Sequence, residues 1–236
     1  MLDPARRARS VLVTSANVEV GLLDKRVLLD THVVDSFGAV VFPGRSVARS
    51  CLMRLLAGEA SPPLDVVATD VAPVPQPDRV RGVVRMSGPV ELVTEPLSED
   101  VLTHLRVGPA DPVVRLVPRE VGLDWRVERP AGLPEGRSVA VPAPLYAGAR
   151  PDGLAGWEGP WATHLAGHHG AVARTLAERV TELAEDVRLR PLLADEGGVV
   201  IRAYEGEGYR DVRVPFPRRA QCPCEAVSAL GLLLRT

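Results

Sequence analysis

The sequence predicts an α+β fold in two parts: a small antiparallel β-barrel over residues 1–130, then a compact helix–three strands–helix unit over residues 160–236. Three observations carry this. Short β-branched runs crowd the first half around one interposed helix, residues 131–159 are rich in Pro and Gly with little periodicity, and the longest helical signal of the chain begins as that stretch ends. At 236 residues there is length for two modest domains, each with its own core.

Pro4 to Thr14 reads as a short amphipathic helix. Val18 to Leu23, Val27 to Val34 and Ala39 to Phe42 follow as consecutive antiparallel strands, separated by Leu23-Asp24-Lys25 and Asp35-Ser36-Phe37-Gly38. Ser46 to Ala57 returns to helical spacing, with Val47, Cys51, Leu52, Leu55 and Leu56 on one side and Gly58 as a stop. Leu64 to Ala72 and Arg79 to Thr94 read as two longer strands, because the prolines of 73–78 cannot lie inside a central strand. In the second of them Val80, Gly82, Val84 and Met86 alternate with Arg79, Arg81, Val83 and Arg85, giving a packed face and a charged one. A helix from Ser98 to Arg106 and strands at Pro112 to Val117 and Leu123 to Val127 complete the barrel.

Residues 131–159 are expected to be a linker. Beyond them, Trp157 to Ala184 reads as one long helix. Val187 to Leu193, Val199 to Tyr204 and Tyr209 to Val214 read as three strands, turned by Gly197-Gly198 and Gly206-Glu207-Gly208. Pro223 suits the first position of a last helix, with Val227, Leu230 and Leu234 at helical spacing.

A composition 46% hydrophobic with a net charge of −2 argues against disorder and against the basic footprint of a nucleic-acid binder. No stretch approaches the roughly 18 apolar residues of a membrane span, and the apolar run Val11 to Val13 is too short for a signal segment. A cytoplasmic location without a membrane partner is the expectation. Cys51, Cys222 and Cys224 are odd in number, with two of them one residue apart, a poor disulfide framework; they are expected to be reduced thiols.

His164, His168 and His169 place three of the five histidines within six positions. At about 100° per residue, His164 and His168 share one side of a helix. His169 falls on the stripe Leu165, Val172, Leu176, Val180 and Leu183 and should point inward. A neutral imidazole on an apolar face can ligate a metal or a haem iron; the alternative is a buried histidine bonded to main-chain carbonyls. A zinc protease is excluded, since Leu165 stands where its glutamate is needed. Cys222 and Cys224 are closer than the usual zinc spacing, and Cys222-Pro223 has the form of a short haem-responsive dipeptide or simply of a helix start. No nucleophile elbow, phosphate loop or dinucleotide fingerprint occurs, so no catalytic residue is assigned.

The segment from Trp161 onward, with His164-x-x-x-His168-His169, an Ala-rich helix, three short strands and Val212-Arg213-Val214-Pro215-Phe216-Pro217, resembles the small C-terminal domain of the haem-utilisation family. His168 stands where that pattern has aspartate. Upstream, Arg9 to Pro130, with Thr69-Asp70-Val71-Ala72-Pro73 and Asp78-Arg79-Val80-Arg81-Gly82, resembles the pyridoxamine-phosphate-oxidase-like split barrel that precedes this domain. The resemblance implies a split β-barrel whose relatives bind flavin (FMN), bind or degrade haem, or regulate tetrapyrrole synthesis through an enzyme partner. Ser46-Val47-Ala48-Arg49-Ser50 replaces the His-x-x-Asn type segment of flavin-binding barrels, and the tail Leu232 to Thr236 has no histidine. Haem binding therefore stands ahead of FMN binding and of haem degradation. On this reading His164 or His169 is the candidate axial ligand of the haem iron, His168 belongs to the same site, and Arg213, on the polar face of its strand, is a candidate propionate partner. The expectation is a homodimeric haem (tetrapyrrole)-binding protein of haem utilisation. The alternatives are a flavin-dependent oxidoreductase, with its cofactor at the barrel dimer interface, and a non-catalytic module that binds a protein partner.

Overall fold

Asp3 fixes the first element: its carboxylate accepts the Arg6 N–H at 3.0 Å, and Pro4 takes the first position of helix α1 (Pro4–Thr14). The computed structural model describes residues 2–22, 25–128 and 138–235. After α1 come β1 (Val18–Leu22), β2 (Lys25–Leu29), β3 (Val33–Val34), β4 (Val40–Pro43), α2 (Arg49–Leu56), β5 (Leu64–Val71), β6 (Val80–Gly88) and β7 (Val90–Leu92). Then follow α3 (Glu99–Leu105), β8 (Val113–Leu116), β9 (Glu120–Trp125), β10 (Val139–Val141) and α4 (Ala143–Gly148).

These strands make a six-stranded antiparallel sheet in the order β10-β9-β6-β5-β1-β2 and a four-stranded one in the order β3-β4-β8-β7. Their inner faces close on one core, with Val20, Val66, Val84, Met86 and Leu123 from the first and Phe42, Val114 and Leu116 from the second. α1 adds Ala8, Val11 and Leu12 to it. Alternation along β5, where Leu64, Val66 and Ala68 are buried between exposed Asp65 and Thr69, sets the face that turns inward. The result is a split β-barrel. The run Arg79 to Thr94, expected as one strand, breaks into β6 and β7, which lie in different sheets. The cause is local: Gly88 passes so close to the Val117 carbonyl that a Cβ has no room, and Pro89 brings no N–H to a ladder.

The second unit is α5 (Glu158–His168), α6 (Gly170–Glu178), β11 (Arg188–Asp195), β12 (Gly198–Glu205), β13 (Gly208–Pro215) and α7 (Pro223–Arg235). Its strands form an antiparallel meander. One face of that sheet, through Val199, Ile201, Ala203, Val212 and Val214, packs with Leu165, Leu176 and Leu230 of the helices. The other face, through Leu192 and Val200, meets Ala72 and Val127 of the barrel, with Trp125 packed against them. The small sheet is thus sandwiched between helices and barrel.

Further expectations change. The linker expected over 131–159 is structured from residue 138: β10 joins the barrel sheet, and α4 buries Tyr146 in the barrel core with its hydroxyl donating to the Gly38 carbonyl at 3.1 Å. The expected linker residues 131–137 lie outside the described residues. The helix expected over 157–184 divides at His169, whose φ of −134° and ψ of 41° are not helical; Gly167 and Gly170, poor helix formers by about 1 kcal/mol each, flank the break. Finally, Cys222 and Cys224 are joined as a disulfide rather than reduced, because Pro223 at the first turn of α7 brings their Cα atoms to 5.5 Å; Cys51 is a buried free thiol.

Candidate functional site

His164 and His168 project from α5 and His169 from the break that follows it, and all three are exposed. The His164 ring lies 5.5 Å from that of His168 and 4.8 Å from that of His169, centroid to centroid. The pairing of His164 with His168 follows from helical spacing. The inward orientation expected of His169 does not occur: the break resets the phase, so Leu165 and Leu176 stay in the core while His169 turns to solvent. Among the described residues none of the three rings is hydrogen-bonded to main chain, and together they form an imidazole cluster on an open surface.

Arg213 lies on the polar face of β13, between buried Val212 and Val214, as the alternation predicts. It sits half-buried on β13 between two carboxylates, donating to Glu128 through Nε at 2.7 Å and to Asp195 through Nη1 at 2.9 Å and Nη2 at 3.0 Å. Asp195 also receives Arg7 of α1 at 2.7 Å. Burial works against the Asp195 charge, yet Arg213 and Arg7 lower its carboxyl to about 2. Arg213 is a junction residue: its donors are spent on carboxylates of the two units, which leaves it a weak claim on a propionate.

A cleft of about 540 Å³ opens where the outer face of the six-stranded sheet meets the start of α5. Leu28, Val67 and Val71 give it an apolar side, and Arg79 stands exposed at its rim. Its floor is a buried charge cluster in which Arg81 donates to Asp70 at 2.6 and 3.0 Å, to Glu158 at 2.7 Å and to the Leu192 carbonyl at 3.0 Å. Burial opposes the Arg81 charge, but Asp70 and Glu158 hold its pKa above the ordinary guanidinium value. Burial also pushes the Glu158 carboxyl up against the pull of Arg81. With one arginine facing two carboxylates the floor leans negative, and Glu19 lines the cleft as well, so among the described residues Arg79 at the rim is its one cation that is not part of the buried cluster. The partners stand 11 and 77 residues from Arg81, so no local pattern announces this cluster.

Among the described residues no group of three or more His, Cys, Asp or Glu side chains is arranged to hold a metal ion by itself. No helix is long and apolar enough to cross a membrane among those residues.

Neither a family model nor a curated protein matches the sequence. Among solved structures, a heme binding protein from Mycobacterium smegmatis is similar over 100% of both chains, with a TM-score of 0.59 at 18% identity. A protein of unknown function from Agrobacterium tumefaciens covers 98% of this chain and 95% of its own, with a TM-score of 0.38 at 18% identity. A putative pyridoxamine 5'-phosphate oxidase from Corynebacterium glutamicum covers 52% of this chain and 88% of its own, with a TM-score of 0.32 at 19% identity. The mycobacterial likeness runs the full length of both chains, and this chain accordingly has the fold of a split β-barrel carrying a small C-terminal α+β unit.

Proposed function

We propose that this protein binds haem or a related tetrapyrrole and serves haem utilisation or homeostasis, with His164, His168 and His169 as the source of the axial nitrogen. The observation that carries the reading is the imidazole cluster itself: three rings within contact distance, none hydrogen-bonded to main chain among the described residues. A ring whose nitrogens are not committed can coordinate iron without breaking an internal bond. His164 is the first choice because it adjoins both other rings, and His169 is the second. The full-length likeness to a protein described as heme binding supports the ligand class.

The fit is one-sided within a single chain. The cluster offers nitrogen ligands, but none of the three histidines lines the cleft under the sheet, and a macrocycle needs apolar walls. A homodimer would supply a second wall, and the outer sheet exposes apolar side chains, Leu28 at 63% and Val71 at 40%, to be covered by another copy. Equimolar haemin added to the purified protein should produce a Soret band that weakens in His164→Ala or His169→Ala; an unchanged spectrum removes the proposal.

A flavin is the second reading, favoured by a cleft of about 760 Å³ on the same sheet, lined by Asp65 and Glu120 but also by Arg85 and Arg119, which could receive a phosphate. Yellow protein on purification, with flavin released on denaturation, would place it first.

A further inference from the structure

The haem reading makes no use of the oxidised Cys222-Pro223-Cys224 segment. Pro223 opens α7, and the Cys222 carbonyl accepts the Ala226 N–H at 3.1 Å, so the pair is built into the first turn of a 13-residue helix. Cys224 is exposed and Cys222 half-buried. Cys224 also lines an open cleft of about 420 Å³ with Arg218, Arg219, Ser228 and Leu232, room for a molecule to approach its sulfur.

A bond between residues two apart closes a very short loop, and the constraint a disulfide places on the unfolded chain shrinks with loop length. A structural purpose is therefore weakly served here. Exchange is better served: Cys224 is exposed, and the positive end of a helix dipole favours a departing thiolate. Cys51 has none of this, being buried with its thiol directed at Ser61 Oγ at 3.3 Å.

We propose that Cys222 and Cys224 form a thiol–disulfide exchange site whose co-substrates are low-molecular-weight thiols and their disulfides. An external thiolate attacks Cys224 Sγ, the Cys222–Cys224 bond breaks, and its electron pair goes to Cys222 Sγ, which then takes a proton. A mixed disulfide remains on Cys224. A second external thiolate attacks the outer sulfur of that mixed disulfide, releasing Cys224 as a thiolate that is protonated in turn. Two external thiols become one disulfide, and the protein disulfide becomes two thiols, a transfer of two electrons and two protons. Run backwards, the same steps reoxidise the pair.

The test is to equilibrate the full chain in glutathione buffers from fully reduced to fully oxidised, quench with acid, alkylate and read the intact mass. Residues 222 and 224 should gain and lose alkylation together as one two-electron couple, while Cys51 stays unmodified in folded protein. In Cys222→Ser a glutathione adduct should accumulate on Cys224, an adduct that the wild type resolves. Cys224→Ser gives the converse check if the first variant does not fold, and the wild-type titration stands without either. Thiols that titrate independently, a disulfide that survives millimolar dithiothreitol in folded protein, or an adduct equally abundant in wild type and Cys222→Ser would each overturn the proposal.

Discussion

Asp195→Asn should loosen the seam between the two units, and its size can be worked from the structure. Asp195 joins Arg7 and Arg213, and its side chain is 2% exposed. A carboxyl lowered from 3.8 to about 2 contributes on the order of 2 kcal/mol of stability at neutral pH. Removing one partner of a buried pair costs about 3 to 5 kcal/mol, because the other charge is left uncompensated. Asparagine keeps one acceptor oxygen, and Arg7 keeps its place 4.2 Å over the Trp125 ring, so a loss of about 3 kcal/mol is expected. Urea unfolding at pH 7 should show it as a midpoint lowered by about 1 M or more. The sign with pH follows from the lowered folded value. The carboxylate's contribution is fully present above about pH 4, the unfolded range, and is lost as the pH falls through about 2. The gap between wild type and variant should then be level from pH 7 to about pH 4 and close below it. A gap under about 1 kcal/mol at pH 7, the range of an exposed pair, or one that widens on acidification, would refute this account of the junction.

Gly88→Ala should cost about 1 to 3 kcal/mol by overpacking, since the new Cβ meets the Val117 carbonyl; an unchanged thermal midpoint would mean that the two backbones part easily. His32 bonds the Leu12 carbonyl at 2.8 Å, and burial lowers its pKa, so its contribution is present above the unfolded value near 6.5 and lost as the pH falls through that value and the lower folded one. Ring titration by NMR should find a midpoint below 6.5, and a midpoint above it would contradict the burial argument. Tyr146 is pushed up to about 12 by burial, so the ultraviolet titration difference between wild type and Tyr146→Phe should be absent at pH 10; a difference there would mean that the ring is wet.

Residue pattern carried the fold further than it carried the site. Alternation along β6 and the turn glycines of the last three strands are legible because each is a local signal, read within a few residues. The division at Gly88 is not, since the atom that forbids a side chain belongs to Val117, in a different strand connection. The Pro- and Gly-rich stretch reads as a linker for want of periodicity, yet Tyr146 and Asp152 tie it down through partners more than a hundred residues away, at Gly38 and Ser10. Helical spacing places His164 and His168 together. It misplaces His169, because a break of one residue moves every later side chain to another face. Arg81 and Arg213 lie on strands whose alternation marks them as polar, but what covers that face is the other unit, and sequence spacing is silent on a partner so distant.

The most direct test is an absorption titration of the purified full chain with haemin, run beside a variant with alanine at 164, 168 and 169. The account predicts a saturable Soret change in the wild type and its loss in the variant, with both proteins unfolding at the same urea concentration. Equal spectra and equal saturation in the two would contradict the assignment of the imidazole cluster as the source of the iron ligand.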